Sequence, residues 1–205
     1  MSLFAFLVAA IVLAVTPGPG IAYVVARTVA GGRAEGLASC LGTGLGGLIH
    51  VLAASLGLSF LIAQSAVAFS LLKYLGAAYL VYLGLRIFLS EAAPMQAPAL
   101  QARGARRALL EGAVVEALNV KTALFFLAFL PQFVDYAQPL AGQLVVLGCI
   151  CVTLNSLVDV MAVLLAHRLL QSGATRAARE RLMTRVSGAT LVGLGAFLAL
   201  ARREA

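Results

Sequence analysis

A few polar side chains interrupt an otherwise apolar chain, and their types limit the chemistry open to them. Asp159 lies deep in an apolar run, with Asn155 and Ser156 about one helical turn before it. A carboxylate in such surroundings marks a transport pathway, a proton relay or a buried ion pair, with Lys121 or Lys73 as the partner. Asn119 and Lys121 break a second run, and Glu116 stands one turn earlier, where it could also sit near an interface. A lysine at mid-membrane depth needs a partner or a wet path, unless it snorkels to an interface. His50 follows the glycines Gly36, Gly42, Gly44, Gly46 and Gly47. It suits either an interhelical hydrogen bond or proton handling, since its pKa lies near physiological pH. The sharpest interruption is Thr16-Pro17-Gly18-Pro19-Gly20. Two prolines and two glycines in four residues break a helix. A half-helix restarting near Pro19 would turn its positive N-terminal end toward a cavity, where an anion such as a carboxylate fits. The plainer alternative is a kink or a re-entrant hairpin.

The elements that carry these groups follow from composition. Of 205 residues, 62% are hydrophobic and 11% charged, against about 45–50% and 25% in soluble domains. A chain this short cannot bury so much apolar surface in itself, so lipid must be its solvent. That excludes a soluble enzyme, a nucleic-acid binder and a disordered tail. Six spans are predicted, near 2–26, 37–63, 67–89, 110–131, 139–166 and 186–201. The last is short for a span and suits a thinned bilayer. No Lys or Arg precedes the first run, so it reads as a retained span and not as a signal peptide. The fold class is an all-α integral membrane protein in a single transmembrane domain, 1–205.

Orientation follows the positive-inside rule. Arg27 and Arg33 follow span one; Arg86, Arg103, Arg106 and Arg107 follow span three; Arg168, Arg176, Arg179, Arg181 and Arg185 follow span five. The loops after spans two and four hold no Lys or Arg, and only Arg202 and Arg203 dissent. These three loops are therefore expected in the cytoplasm and both termini outside. The polar linker 90–108, with Pro94 and Pro98, separates halves 1–89 and 109–205 of three spans each. Three is odd, so the second half enters from the opposite side, as in inverted-repeat secondary transporters. Laying Thr16-Pro17-Gly18 on Asn119-Val120-Lys121 gives a faint internal echo.

Other features read as structural. Cys40, Cys149 and Cys151 are odd in number and lack C-x-x-C spacing, so they are expected to be small packing residues. The glycines before His50 form a close-packing face, which permits a homodimer without requiring one. Tyr74, Tyr79 and Tyr82 suit interfacial anchors, and the Arg-rich 168–185 stretch suits a face drawn to anionic lipid. No G-x-x-x-x-G-K loop, metal-ligand cluster or hydrolase motif appears, so no cofactor, no metal and no enzyme activity are expected.

Taken together the motifs resemble the LysE family of amino-acid exporters, in its RhtB (homoserine/threonine efflux) branch. Thr16-Pro17-Gly18-Pro19 with Arg27, Gly32, Arg33 and Gly36 is similar to the opening motif of that family. Leu41-Gly42 through Gly46 to His50 resembles its second-span pattern, and Leu72-Lys73-Tyr74-Leu75-Gly76 with Tyr82-Leu83-Gly84 its third. Leu124-Phe125-Phe126 through Pro131-Gln132-Phe133 is similar to its fourth, and Asp159 falls where an acidic residue is frequent. The chain departs from the pattern at Val120, where the family usually has Pro, and at Gly20, often Asn; Glu116 has no place on it. Val120 leaves open whether the fourth helix runs unbroken.

The resemblance implies an inner-membrane exporter of amino acids or close derivatives. The expected substrate contacts are Thr16, Pro17, Gly18, Pro19, Gly20, Asn119 and Lys121, with Asp159 and His50 coupling transport to protons. The alternatives are an exporter of another small metabolite or a metal ion, and a membrane thiol redox carrier on the same architecture. With only His50 and His167, soft-metal ligands are scarce.

Overall fold

A computed structural model describes residues 3–58 and 101–172, with single positions between 67 and 85. Expected spans three and six, Lys73, Tyr79, residues 90–100 of the linker and the side chains of the Arg-rich 168–185 stretch lie outside the described residues. Within them every regular element is helical: α1 (Leu3–Val15), α2 (Pro19–Ala53), α3 (Ala105–Ala117), α4 (Val120–Leu124) and α5 (Leu140–Ser172). A π turn (Ala54–Leu58) extends α2, while a π turn (Phe125–Phe129) and a 3-10 turn (Leu130–Phe133) extend α4.

The stretch Pro19–Gly57 is helical for 39 residues and holds an apolar window long enough to cross a membrane. As a straight rod it would be about 58 Å long, near twice the ~30 Å of bilayer hydrocarbon. It is not straight. Gly32 has φ 73° and ψ −170° inside α2, a left-handed backbone that glycine alone adopts without strain. The chain reverses there. A side chain on Gly36 would meet Thr28, one on Gly20 would approach Thr43, and Val24 packs with Cys40. These pairs are symmetric about residue 32, so α2 is a helical hairpin with arms 19–31 and 33–53. Span one is then α1 plus the first arm. The sequence reading put a loop behind span one at residue 26 and counted Arg27 in it. That is corrected: Arg27 is helical and fully buried, and the turn is one residue long. Span two correspondingly begins at 33, not 37.

Span four is bent, not continuous. Ala105–Ala117 and Val120–Phe133 meet at 43°, so the break survives without a proline at 120. Leu118 (φ −94°, ψ 7°) leaves the helix, and Asn119 restarts it as N-cap, its side chain accepting from the Lys121 amide at 3.1 Å. Span five extends past 166, to Ser172.

The glycines before His50 are a packing face, and they serve two neighbours. A side chain on Gly46 would lie 2.5 Å from the Ala113 carbonyl, and one on Gly42 would collide with that of Leu109. On the other flank Gly44 faces Ser156 and Gly47 faces Val152. Gly42→Ala is therefore expected to force α2 and α3 apart, costing about 1–3 kcal/mol as overpacking does. A clear fall in melting temperature in detergent checks it; an unchanged one would show that the helices separate freely.

The apolar core sits toward the far end from Gly32. Phe6, Phe125, Phe126 and Phe129 are fully or nearly fully buried there, with Phe125 stacked on Phe129 at 4.8 Å and Phe6 edge-on to Phe133 at 5.4 Å. At the opposite end, Glu35 accepts from the Arg103 and Gly104 amides at 2.8 and 2.7 Å. Val163 of α5 packs there on Val24 and Cys40. The Gly32 turn, residues 101–104 and the C-terminal part of α5 therefore share one end of the molecule.

Candidate functional site

Two helix breaks meet inside the bundle. In the first, Thr16 ends α1, its hydroxyl and amide both bonding the Val12 carbonyl at 2.7 and 3.1 Å. Pro17 lies outside both helices, Gly18 is extended, and α2 restarts at Pro19. The second is Leu118–Asn119. Lys121 links them: its Nζ donates to the Leu13 and Thr16 carbonyls at 3.2 and 2.9 Å. Those are orphan acceptors at the C-terminal end of α1, where the helix dipole favours a cation. In lipid such groups must be satisfied by protein, and a lysine from the other half of the chain does it. Lys121 is thus neither snorkelling nor ion-paired with Asp159. Its ammonium carbons also approach Gly18, where a side chain would lie 3.1 Å away.

Glu116 occupies the centre of this junction. It is 1% exposed. Its carboxylate accepts from Thr122 Oγ1 at 2.6 Å and Asn119 Nδ2 at 3.0 Å. Asn119 therefore uses both ends of its amide, the oxygen capping α4 and the nitrogen holding Glu116. The Glu116 carbonyl accepts from His50 Nε2 at 2.8 Å. A carbonyl only accepts, so Nε2 carries the proton and His50 ties α2 to α3. The His50 ring also leans on Phe126, 6.0 Å between centroids. Gly20 faces the carboxylate: a side chain there would come within 2.6 Å of Glu116 Oε2. The absent side chain at 20 is the space that Glu116 fills.

Asp159 is fully buried. Thr43 Oγ1 donates to its Oδ2 at 2.8 Å, while Oδ1 has no hydrogen-bond partner. A cavity of about 20 Å³ lies beside these groups, lined by Thr43, Glu116, Thr122, Asn155, Ser156 and Cys151 among others. It has room for a water and not for an amino acid. Of the residues singled out from sequence, Thr16, Gly18, Gly20, Asn119, Lys121 and His50 meet at the junction. Asp159 reaches the same cavity through Thr43.

A second polar cluster closes the Gly32 end. Arg27 donates from Nε to the Tyr23 hydroxyl at 2.9 Å and from Nη1 to the Gln101 carbonyl at 3.2 Å. Its Nη2 pairs with Glu111, and Glu35 lies 3.6 Å from Nη1. Glu111 also pairs with Arg107 at 2.8 Å and Arg103 at 3.5 Å. Sequence reasoning counted these arginines only as loop charge. The i,i+4 spacing of Arg107 and Glu111 was legible, but Arg27 and Glu111 are 84 residues apart. Glu116 was seen but not selected, because its partners Gly20 and His50 are equally remote in sequence.

The cysteines carry no paired chemistry. Cys40 and Cys151 are buried, Cys149 is exposed, and all three are free. Replacing all three by Ser is expected to leave transport intact; loss of activity on that change would favour the thiol-carrier alternative. Among the described residues no three His, Cys, Asp or Glu side chains gather as a metal site needs.

Comparison with known proteins agrees with this architecture. The family model described as LysE type translocator matches residues 11–202. A Vibrio cholerae protein named an uncharacterized membrane protein is 32% identical over 97% of this chain and 96% of its own length. The homoserine/homoserine lactone efflux protein of Salmonella typhi is 29% identical over 97% of this chain and 96% of its own. The leucine efflux protein of Salmonella choleraesuis is 31% identical over 69% of this chain and 68% of its own. No solved structure matches. Apolar helices built around two linked breaks and a family match over nearly the whole chain lead to one assignment: this multi-pass membrane protein belongs to the LysE type translocator family.

Proposed function

We propose that the chain exports amino acids or close derivatives across the inner membrane by proton antiport. The observation that carries the reading is the meeting of the two breaks, Thr16–Gly18 and Leu118–Asn119, beside a small polar cavity. Paired broken helices at the interface of two halves are where secondary transporters bind. The efflux proteins of Salmonella named above support an amino-acid substrate.

In this reading 1–89 and 109–205 are inverted halves of three spans, six in all. The Gly32 end is cytoplasmic and both termini lie outside. The substrate carboxylate meets the half-helix end at Pro17–Gly20 and its amino group meets Asp159. A proton taken up at Asp159 resets the site. His50, engaged with a backbone carbonyl, fits a joint between helices better than a relay. The Arg27 cluster seals the cytoplasmic side in this conformation and parts when the cavity opens inward.

The test is export from cells loaded with a mixture of dipeptides, with and without the protein. Faster release of one or a few amino acids, collapsing when the proton gradient is removed, is expected. No change for any amino acid, with the protein detected in the membrane, would refute the reading.

A further inference from the structure

We infer that Glu116 is a second cation-binding carboxylate of the transport site, sharing with Asp159 one positive charge that the substrate's ammonium group and a proton supply in turn. This rests on the transport reading above and adds a residue that the family pattern does not supply.

The argument begins with charge. Glu116 and Asp159 are both buried, and among the described residues no Lys, Arg or His nitrogen lies within 4 Å of either. Lys121, His50, Cys40 and Cys151 lie beside them, while Tyr23, Arg27, Glu35 and Glu111, on the same helices, belong to the cluster at the Gly32 end. Lys121 spends its ammonium on the carbonyls of Leu13 and Thr16. His50 spends its Nε2 proton on the Glu116 carbonyl. Cys40 and Cys151 are buried thiols that bring no positive charge. With both carboxylates ionised, Lys121 balances one of them and a single negative charge is left over. A buried charge in hydrocarbon is kept only where function supplies its partner.

Two further observations place that partner. Asp159 Oδ1 is buried and accepts no hydrogen bond, so one oxygen is left open for a donor. Glu116 and Thr43, the residue that holds the other Asp159 oxygen, line the same cavity. Glu116 is also set in place rather than merely left there: Asn119 and Thr122 each donate to it, and Gly20 vacates the space it fills. An ammonium group entering this cavity meets the Glu116 carboxylate on one wall, and behind Thr43 lies Asp159 with one oxygen unpartnered. When it leaves, one proton restores the balance. Ammonium group and proton compete for the same carboxylate oxygens, so substrate and proton exclude each other, and exclusion is what couples an antiporter.

The purified full-length chain is reconstituted in liposomes and assayed with labelled homoserine and leucine in two modes. In exchange, labelled substrate swaps with unlabelled at equal pH. In driven transport, a pH gradient is the only energy. For Glu116→Gln, exchange and driven transport are both expected to fall at least tenfold at low substrate, with exchange recovering toward wild type as the substrate concentration is raised. Driven transport at the wild-type level would overturn the role of Glu116. If wild type itself moves neither amino acid in either mode, it is the transport reading that falls.

A second measurement on the wild-type chain covers a variant that folds poorly. Dicyclohexylcarbodiimide adds to protonated buried carboxyls, and the adducts are mapped by mass spectrometry. Substrate is expected to protect Glu116 and Asp159 together. Protection of Asp159 alone would overturn the inference.

Discussion

Asp159→Asn is expected to abolish export driven by a proton gradient while the protein still folds and reaches the membrane. The substitution is nearly isosteric. Thr43 donates to the remaining oxygen as it now donates to Oδ2, and the amide brings no charge to a site that is fully buried. Packing is therefore preserved, and what disappears is the ability to take and release a proton. A reduction of at least tenfold is expected, equivalent to about 1.4 kcal/mol or more in the driven step. Export from loaded cells measures it, with membrane abundance and melting temperature as controls for folding. Near-normal export at equal abundance would remove Asp159 from the coupling.

The largest stability effect is expected at Arg27. Its guanidinium is fully buried and faces Glu111, Glu35, the Tyr23 hydroxyl and the Gln101 carbonyl. Arg27→Met keeps much of the side-chain volume but leaves Glu35 and Glu111 without their buried cation. Removing one partner of a buried pair costs about 3–5 kcal/mol, mostly because the remaining charge is stranded. Thermal unfolding in detergent should fall strongly. Adding Glu35→Gln should recover part of the loss, since Glu35 is the buried carboxylate left stranded while Glu111 keeps Arg103 and Arg107. A single variant as stable as the parent would show that the network is held by packing alone.

The difference between what the sequence showed and what it hid follows from how far each signal reaches. The first break was plain, because two prolines and two glycines act on their own backbone. The second was ambiguous, since Val120 carries no such signal. It forms through Asn119, whose cap is local, and through Glu116 and Thr122, whose fit needs the helix to bend first. The glycine face was legible as packing, but only the structure shows that α3 covers one flank and α5 the other. Arg27 was misplaced for a related reason. Counting charges in loops assumes that a loop exists, and a one-residue turn leaves arginine inside a helix. The site itself was half visible: Lys121 and Asp159 announce themselves by being charged in apolar runs. Their roles were not visible, because Lys121 serves carbonyls more than 100 residues away and a free oxygen on Asp159 has no signature in sequence.

The turn at Gly32 also sets how this protein is able to move. With one residue between two helical arms, and with Thr28 against Gly36 and Val24 against Cys40, the joint holds no slack. Neither arm can slide past the other by a helical turn without tearing the elbow open. The first arm, the turn and the second arm swing as one lever, like the legs of a tuning fork. The nearest yielding point is Pro17–Gly18, where the lever meets α1 and where Lys121 grips the other half.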